Sequence, residues 1–428
     1  MDKKIYEAFV NILKEELKPA MGCTEPISVA YAGALARQTL GQIPEKIKMT
    51  ISGNIIKNVK SVIVPNTGGR KGLKTAIAAG ICYGNAEDEL EVLSKAQPEQ
   101  IKMLEDYLKK AEIDIRESDT NCPFDIEVMV YTGKENAYVH LFGNHTNLVA
   151  LKKNGSTLLD KPVCDTVIQS KKDSEMMTVK DIVEFAEQVD IQEIKEVIGR
   201  QIECNMAIAK AGMEQGYGAR IGRILLDSYG DSVQNMAKAY AAAGSDARMN
   251  GCELPVVINS GSGNQGITAS VPVIIYAKQR NVTEEKLYRA LVISNLVTIH
   301  LKTGIGSLSA YCGATSAGCG AGAGISYLYG GGYDEIAHTI VNALAINSGM
   351  LCDGAKSSCA AKIASAVEAG LLGMQMNIHD SQFYDGDGII VKGVENNIKT
   401  VSMIAREGMR QTDEKIIHHM IDKDVVSE

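Results

Sequence analysis

Apolar positions recur at helical spacing from the first residues: Ile5, Phe9, Ile12 and Leu13 line one face of a helix predicted over residues 3–18. Pro19 ends that pattern. A second helix, built from small residues, is expected from Pro26 to Leu40, with Thr24 just upstream of a proline at an early helical position. From about residue 45 the pattern changes to alternation and β-branched runs. KIKMTISGNI and SVIVPNT read as strands, followed by helices over 71–83 and 86–112. After Cys122 and Pro123, the runs FDIEVMVYT, NAYVHLFG and TNLVALKKN read as three strands joined by Gly-containing turns, an antiparallel meander. Beyond about 178 each long segment reads as helix, interrupted by Gly-rich stretches at 259–266, 303–332 and 385–388. The pattern predicts an α+β fold. Helices over 1–44 carry Cys23 and pack on a mostly helical domain over 176–428; a smaller α+β domain over 45–175 holds an antiparallel sheet.

Composition sharpens this picture in two ways. Tryptophan is absent, Phe occurs 5 times and Gly 41 times, so helices must approach closely through small residues because few rings are available to fill space. The charge balance of 44 basic and 52 acidic residues gives −8 without a basic run, which argues against nucleic acid or an anionic membrane as the main partner. No stretch approaches ~18 uninterrupted apolar residues, and the amphipathic N-terminus lacks an apolar signal core. A cytoplasmic protein without a spanning helix is expected, and its small-residue helices make a homo-oligomer plausible.

Ten cysteines are too sparse for a disulfide scaffold, so they are buried small hydrophobes, metal ligands or nucleophiles. Cys312 and Cys319 are seven apart, as are Cys352 and Cys359. On a regular helix that spacing spans about 10 Å, too far for one small cluster. Gly354 invites a break after Cys352, and three thiols drawn from both pairs could then converge; plain burial is the competing reading. Cys23 sits in a Gly-Cys-Thr-Glu-Pro turn at a helix start, where the dipole favours a thiolate able to act as base or nucleophile. A small buried turn residue is its bland alternative.

Gly261, Gly263 and Gly266 give G-x-G-x-x-G, yet the acidic residue and βαβ setting of a dinucleotide site are absent. A backbone nest for a carboxylate, assisted by Ser260, Asn264 and Gln265, fits better, against the plainer reading of a tight turn between helices. The Gly-rich turn after Pro65, with Asn66 and Thr67, follows similar logic with a cation nearby. Lys302 could be a substrate-binding cation or a pyridoxal lysine, though no pyridoxal signature accompanies it. The seven histidines form no metal-binding pair at i, i+4.

Four separated segments together resemble the L-cysteine desulfidase family, related to the α chain of iron–sulfur L-serine dehydratases. They are Gly22 to Pro26, Ser260 to Gly266, Ala310 to Gly313, and Gly349 to Gly354 continued to Cys359. The resemblance covers essentially the whole chain. It implies a [4Fe–4S] cluster on Cys312, Cys352 and Cys359, with Cys319 a less secure exclusion, and Cys23 as proton acceptor. It also implies β-elimination of a small amino-acid substrate, L-cysteine, to sulfide, ammonia and pyruvate. The same chemistry on L-serine, or an iron–sulfur sensor without turnover, are the alternatives.

Overall fold

The computed structural model describes residues 1–120, 122–162, 176–306 and 308–422. The expected boundary at 175 therefore lies outside the described residues. The fold is α+β. Helix α1 (Lys3–Glu16), capped by the Asp2 carboxylate, leads into the short strand β1 (Pro19–Met21) and helix α2 (Thr24–Leu40). Then follow β2 (Lys46–Ile51), α3 (Gly53–Val59), α4 (Leu73–Tyr83) and α5 (Pro98–Lys110). Strands β3 (Glu112–Glu117), β4 (Asp125–Thr132), β5 (Glu135–Phe142), β6 (Leu148–Lys153) and β7 (Ser156–Asp160) complete a six-stranded sheet of order β3-β2-β4-β5-β6-β7.

The meander is antiparallel as expected, and the sheet extends beyond it: β2 pairs antiparallel with β4, while β3 pairs parallel with β2. Alternation fixes which face is buried. Ile47, Met49 and Ile51 of β2, Ile126, Val128 and Val130 of β4, and Ala137, Val139 and Leu141 of β5 all point inward. Helix α2 covers that face and is itself covered by α4, so it has no polar side and reads as a run of small apolar residues.

Three local expectations fail here. KIKMTISGNI is a strand only to Ile51, because Ser52 starts helix α3. SVIVPNT is a turn that retains a single bridge, Ile63 to Lys71. The helix expected over 86–112 is a 3-10 turn at Ala86–Glu91 followed by α5, and its last residue already belongs to β3.

The second region is helical. It comprises α6 (Val179–Gln188), α7 (Ile191–Glu214), α8 (Ile221–Tyr229), α9 (Val233–Met249), α10 (Gly263–Gln279), α11 (Glu284–Ile305) and α12 (Gly313–Leu328). Next come α13 (Tyr333–Ile346), α14 (Cys359–Ile378), α15 (Val394–Met403) and α16 (Arg410–Asp422). Strand β8 (Pro255–Val257) pairs with β1, and α1 packs on α7, which stitches the N-terminus to this region.

The stretch 303–332, expected as an interruption, instead contains the central helix α12, surrounded by α10, α11, α13 and α14. Its glycines explain the difference. A Cβ at Gly318 or Gly322 would strike the α14 backbone at Ala366 or Gly370, and one at Gly320 or Gly324 would strike α11 at Ser294 or Ala290. Low helix propensity is overridden by close packing on both sides.

Candidate active site

Four helix starts converge on one cavity of about 410 Å³. Cys23 is the N-cap of α2, Ser262 of α10 and Cys312 of α12, while Cys359 is the first residue of α14. Their unpaired first-turn amides make the cavity a natural place for negative charge. The sheet region closes one side with Phe124 and the β5–β6 loop, which carries His145.

The thiols of Cys312, Cys352 and Cys359 all line this cavity. An antiparallel bridge between Tyr311 and Leu351 brings the first two together, through Cys312 N–H to Met350 O at 2.9 Å and Cys352 N–H to Ala310 O at 2.6 Å. The chain then leaves regular structure until α14. Gly354, at φ +90°, lies so close to the Lys57 carbonyl that a Cβ would collide with it. Lys356 and Lys362 both reach Asp353 Oδ1 at 2.5 Å, and Lys362 also donates to Leu351 O. The loop holding two of the thiols is thereby pinned.

The Cys312 thiol donates a hydrogen bond to Cys352, which with Lys57, Lys302 and the Gly354 amide lowers the Cys352 pKa to about 5 against the opposing effect of burial. Donating that bond, together with burial, holds Cys312 protonated well above the ordinary range. Burial raises Cys359. One anionic sulfur beside two lysines, with two more thiols facing the same space, is a donor set that could hold an iron–sulfur cluster. Cys319 does not line the cavity; it is buried among the α12 packing contacts.

Cys23 lines the same cavity, with Cys359 packed against the small cluster that it forms with Val62 and Met249, and its protonation state differs from the sequence-based expectation. Its pKa is raised well above ordinary by burial and by Glu25, whose Oε2 accepts from Cys23 Sγ at 3.0 Å. Burial and a neighbouring carboxylate outweigh the helix dipole, so Cys23 rests as a thiol. Glu25 Oε2 also lies 3.0 Å from the Thr24 hydroxyl, and its Oε1 accepts from Asn58 Nδ2 at 3.3 Å. His145, packed on Phe124, is held neutral by burial, and its Nε2 has no hydrogen-bond partner.

The 259–262 turn is a tight hairpin. Asn259 and Ser262 exchange backbone hydrogen bonds, and both central residues have positive φ, +49° at Ser260 and +75° at Gly261. Thr24 Oγ donates to Gly261 O at 2.9 Å and ties the turn to the Cys23 wall. Ser260, Gly261, Asn264, Gln265 and Lys302 line the cavity, and the buried Asn264 Oδ1 and Gln265 Oε1 are unpaired. Gly263 lies just behind, against Arg248. Lys302 donates to Gly306 O, and burial lowers its pKa.

Asn66 and Thr67 are not brought to this site. Asn66 donates to Leu93 O, and Thr67 is fully buried with its hydroxyl on Val64 O. That turn does not line the cavity.

Sequence reasoning missed Glu25, His145 and Arg248, all on the cavity wall. Glu25 lay inside the quoted Cys23 motif and needed only attention to its carboxylate. His145 and Arg248 carry no local signal, since each reaches the site through contacts more than 100 positions away in sequence.

The serine dehydratase alpha chain family model matches residues 87–418. A UPF0597 protein of Desulfitobacterium hafniense is 53% identical over 98% of both chains. UPF0597 proteins of Lachnoclostridium phytofermentans and Treponema denticola are 47% and 44% identical, each over 98% of this chain and over 100% and 99% of their own lengths. No described helix is long and apolar enough to cross a membrane. The chain belongs to the serine dehydratase alpha chain family.

Proposed function

We propose that this chain is a carbon–sulfur lyase that eliminates sulfide from L-cysteine, yielding sulfide, ammonia and pyruvate, with a [4Fe–4S] cluster on Cys312, Cys352 and Cys359. The observation that carries the reading is the arrival of these three thiols in one cavity, together with the Cys23–Glu25 pair. When bound, the cluster supplies a Lewis-acidic iron suited to a soft thiolate leaving group.

The protein's own groups then do the following. The start of α10 and the 260–265 segment hold the substrate carboxylate. As the Cα proton comes off, Cys23 passes its own proton to Glu25 Oε2 and its sulfur takes the substrate's, so the pair gains one proton and goes from one negative charge to neutral. Such positioned proton transfer contributes roughly 10²–10⁴-fold. Phe124 and the His145 loop keep water from one side of the pocket. Aminoacrylate leaves, tautomerises and hydrolyses to pyruvate and ammonia.

The family match favours one second reading, elimination of hydroxide from L-serine by the same groups. Anaerobic reconstitution with iron and sulfide, followed by pyruvate measurement from each amino acid, separates the two. L-cysteine as the better substrate supports the proposal, L-serine as the better substrate supports the second reading, and pyruvate from neither rejects both.

A further inference from the structure

Arg248, in the last turn of helix α9, is only 2% exposed. Its Nε donates to Gly22 O at 2.8 Å. Among the described residues it has no other hydrogen bond and no carboxylate partner. A guanidinium cannot lose its charge inside a protein, and burying an unpaired ion carries a heavy desolvation penalty. A retained charge of this kind calls for an anion that arrives from outside.

The surroundings say where that anion sits. Arg248 lines the cavity and lies against the first turn of α10, where a Cβ at Gly263 would strike its Nε and Cζ. The N-cap of α10, Ser262, makes no side-chain hydrogen bond to the first-turn amides. Asn264 and Gln265, two and three residues on, each present a buried and unpaired side-chain oxygen, an acceptor suited to the substrate's ammonium and not to its carboxylate. Glu25, a carboxylate lining the same cavity, is already engaged by Cys23, Thr24 and Asn58. A planar fork beside a helix N-terminus matches a carboxylate, which accepts two parallel N–H bonds from the one and dipolar stabilisation from the other.

We infer that Arg248 is the receptor for the substrate's α-carboxylate, with the first turn of α10 as its second wall and Gly263 as the space that seats the guanidinium. The substrate class is then restricted to small compounds with a free carboxylate on the carbon that loses its proton. Amines lacking that group are rejected, because the buried cation would remain unpaired. This inference rests on the amino-acid lyase reading above.

The test is anaerobic calorimetric titration of the cluster-loaded protein with L-alanine and with ethylamine, which differ by the carboxylate and have no leaving group. Wild type binds L-alanine at least about tenfold more tightly than ethylamine. Arg248→Gln loses that preference, through weaker L-alanine binding with ethylamine unchanged. Where Arg248→Gln melts early, Arg248→Lys carries the test: a point cation replaces the fork and costs L-alanine about tenfold, ethylamine nothing. Unchanged L-alanine affinity in the variant that folds, or equal loss for both ligands, overturns the assignment alone. Wild type that binds neither ligand overturns the assignment together with the amino-acid reading.

Discussion

Two cysteines of one cavity are treated in opposite ways. In the loop before α14, the Cys352 sulfur accepts a hydrogen bond from Cys312 and faces Lys57 and Lys302, and its pKa falls to about 5. Cys23 caps α2 yet is held well above its ordinary value by burial and by Glu25. Burial pushes both upward, so desolvation does not separate them. The neighbours do: a hydrogen-bond donor and cations stabilise a thiolate, and a carboxylate opposes it. One suits a metal ligand, the other a proton carrier. A helix dipole alone does not decide Cys23.

The largest effect should come from the ligand thiols. Cys352→Ser is expected to lower iron retained after reconstitution to near background and to abolish pyruvate formation, read by iron assay and visible absorption. By contrast, Cys23→Ala should leave the visible absorption intact and reduce turnover by roughly 10³-fold. Equal loss of iron in both variants would erase the distinction between the two cysteines.

Glu25→Gln sharpens the comparison further. With the carboxylate removed, one cause that raises Cys23 disappears while burial stays. Cys23 should then ionise at lower pH, so its alkylation by iodoacetamide, mapped by mass spectrometry, begins at a lower pH than in wild type. Turnover should nevertheless fall, by about 10²-fold, because Gln cannot accept the thiol proton. A smaller effect concerns His145. Its folded pKa is depressed by burial, so the unfolded chain binds the proton more readily. Stability that is present above about pH 6.5 is lost as the pH falls towards the folded value, and His145→Phe should flatten that part of the melting-temperature profile.

The legibility of the sequence differs between the same regions. The meander was readable because each strand alternates over a single buried face, and a period of two is a local property. Strand β3 was not, since EIDIRE is a half-exposed edge whose only pairing is with β2, more than 60 positions earlier. Helix α12 was hidden by glycines that look like breakers until the flanking helices are in place. At the site, the three metal-ligand candidates and Cys23 were legible through a family resemblance. Their charge states were not, because Lys57, Lys302 and Arg248 come from separate helices. Asn66 and Thr67 lie outside the cavity, a placement that a Gly-rich turn before a helix does not reveal locally.

The central claim is that three thiols hold one cluster with an iron open to a substrate thiolate. Mössbauer spectroscopy of protein reconstituted with iron-57, before and after L-cysteine under anaerobic conditions, tests it most directly. The expected result is a single iron subsite that shifts on adding L-cysteine while the others stay in place, with no such shift in Cys352→Ser. Iron that fails to bind, or a fully ligated cluster whose spectrum ignores L-cysteine, would contradict the account.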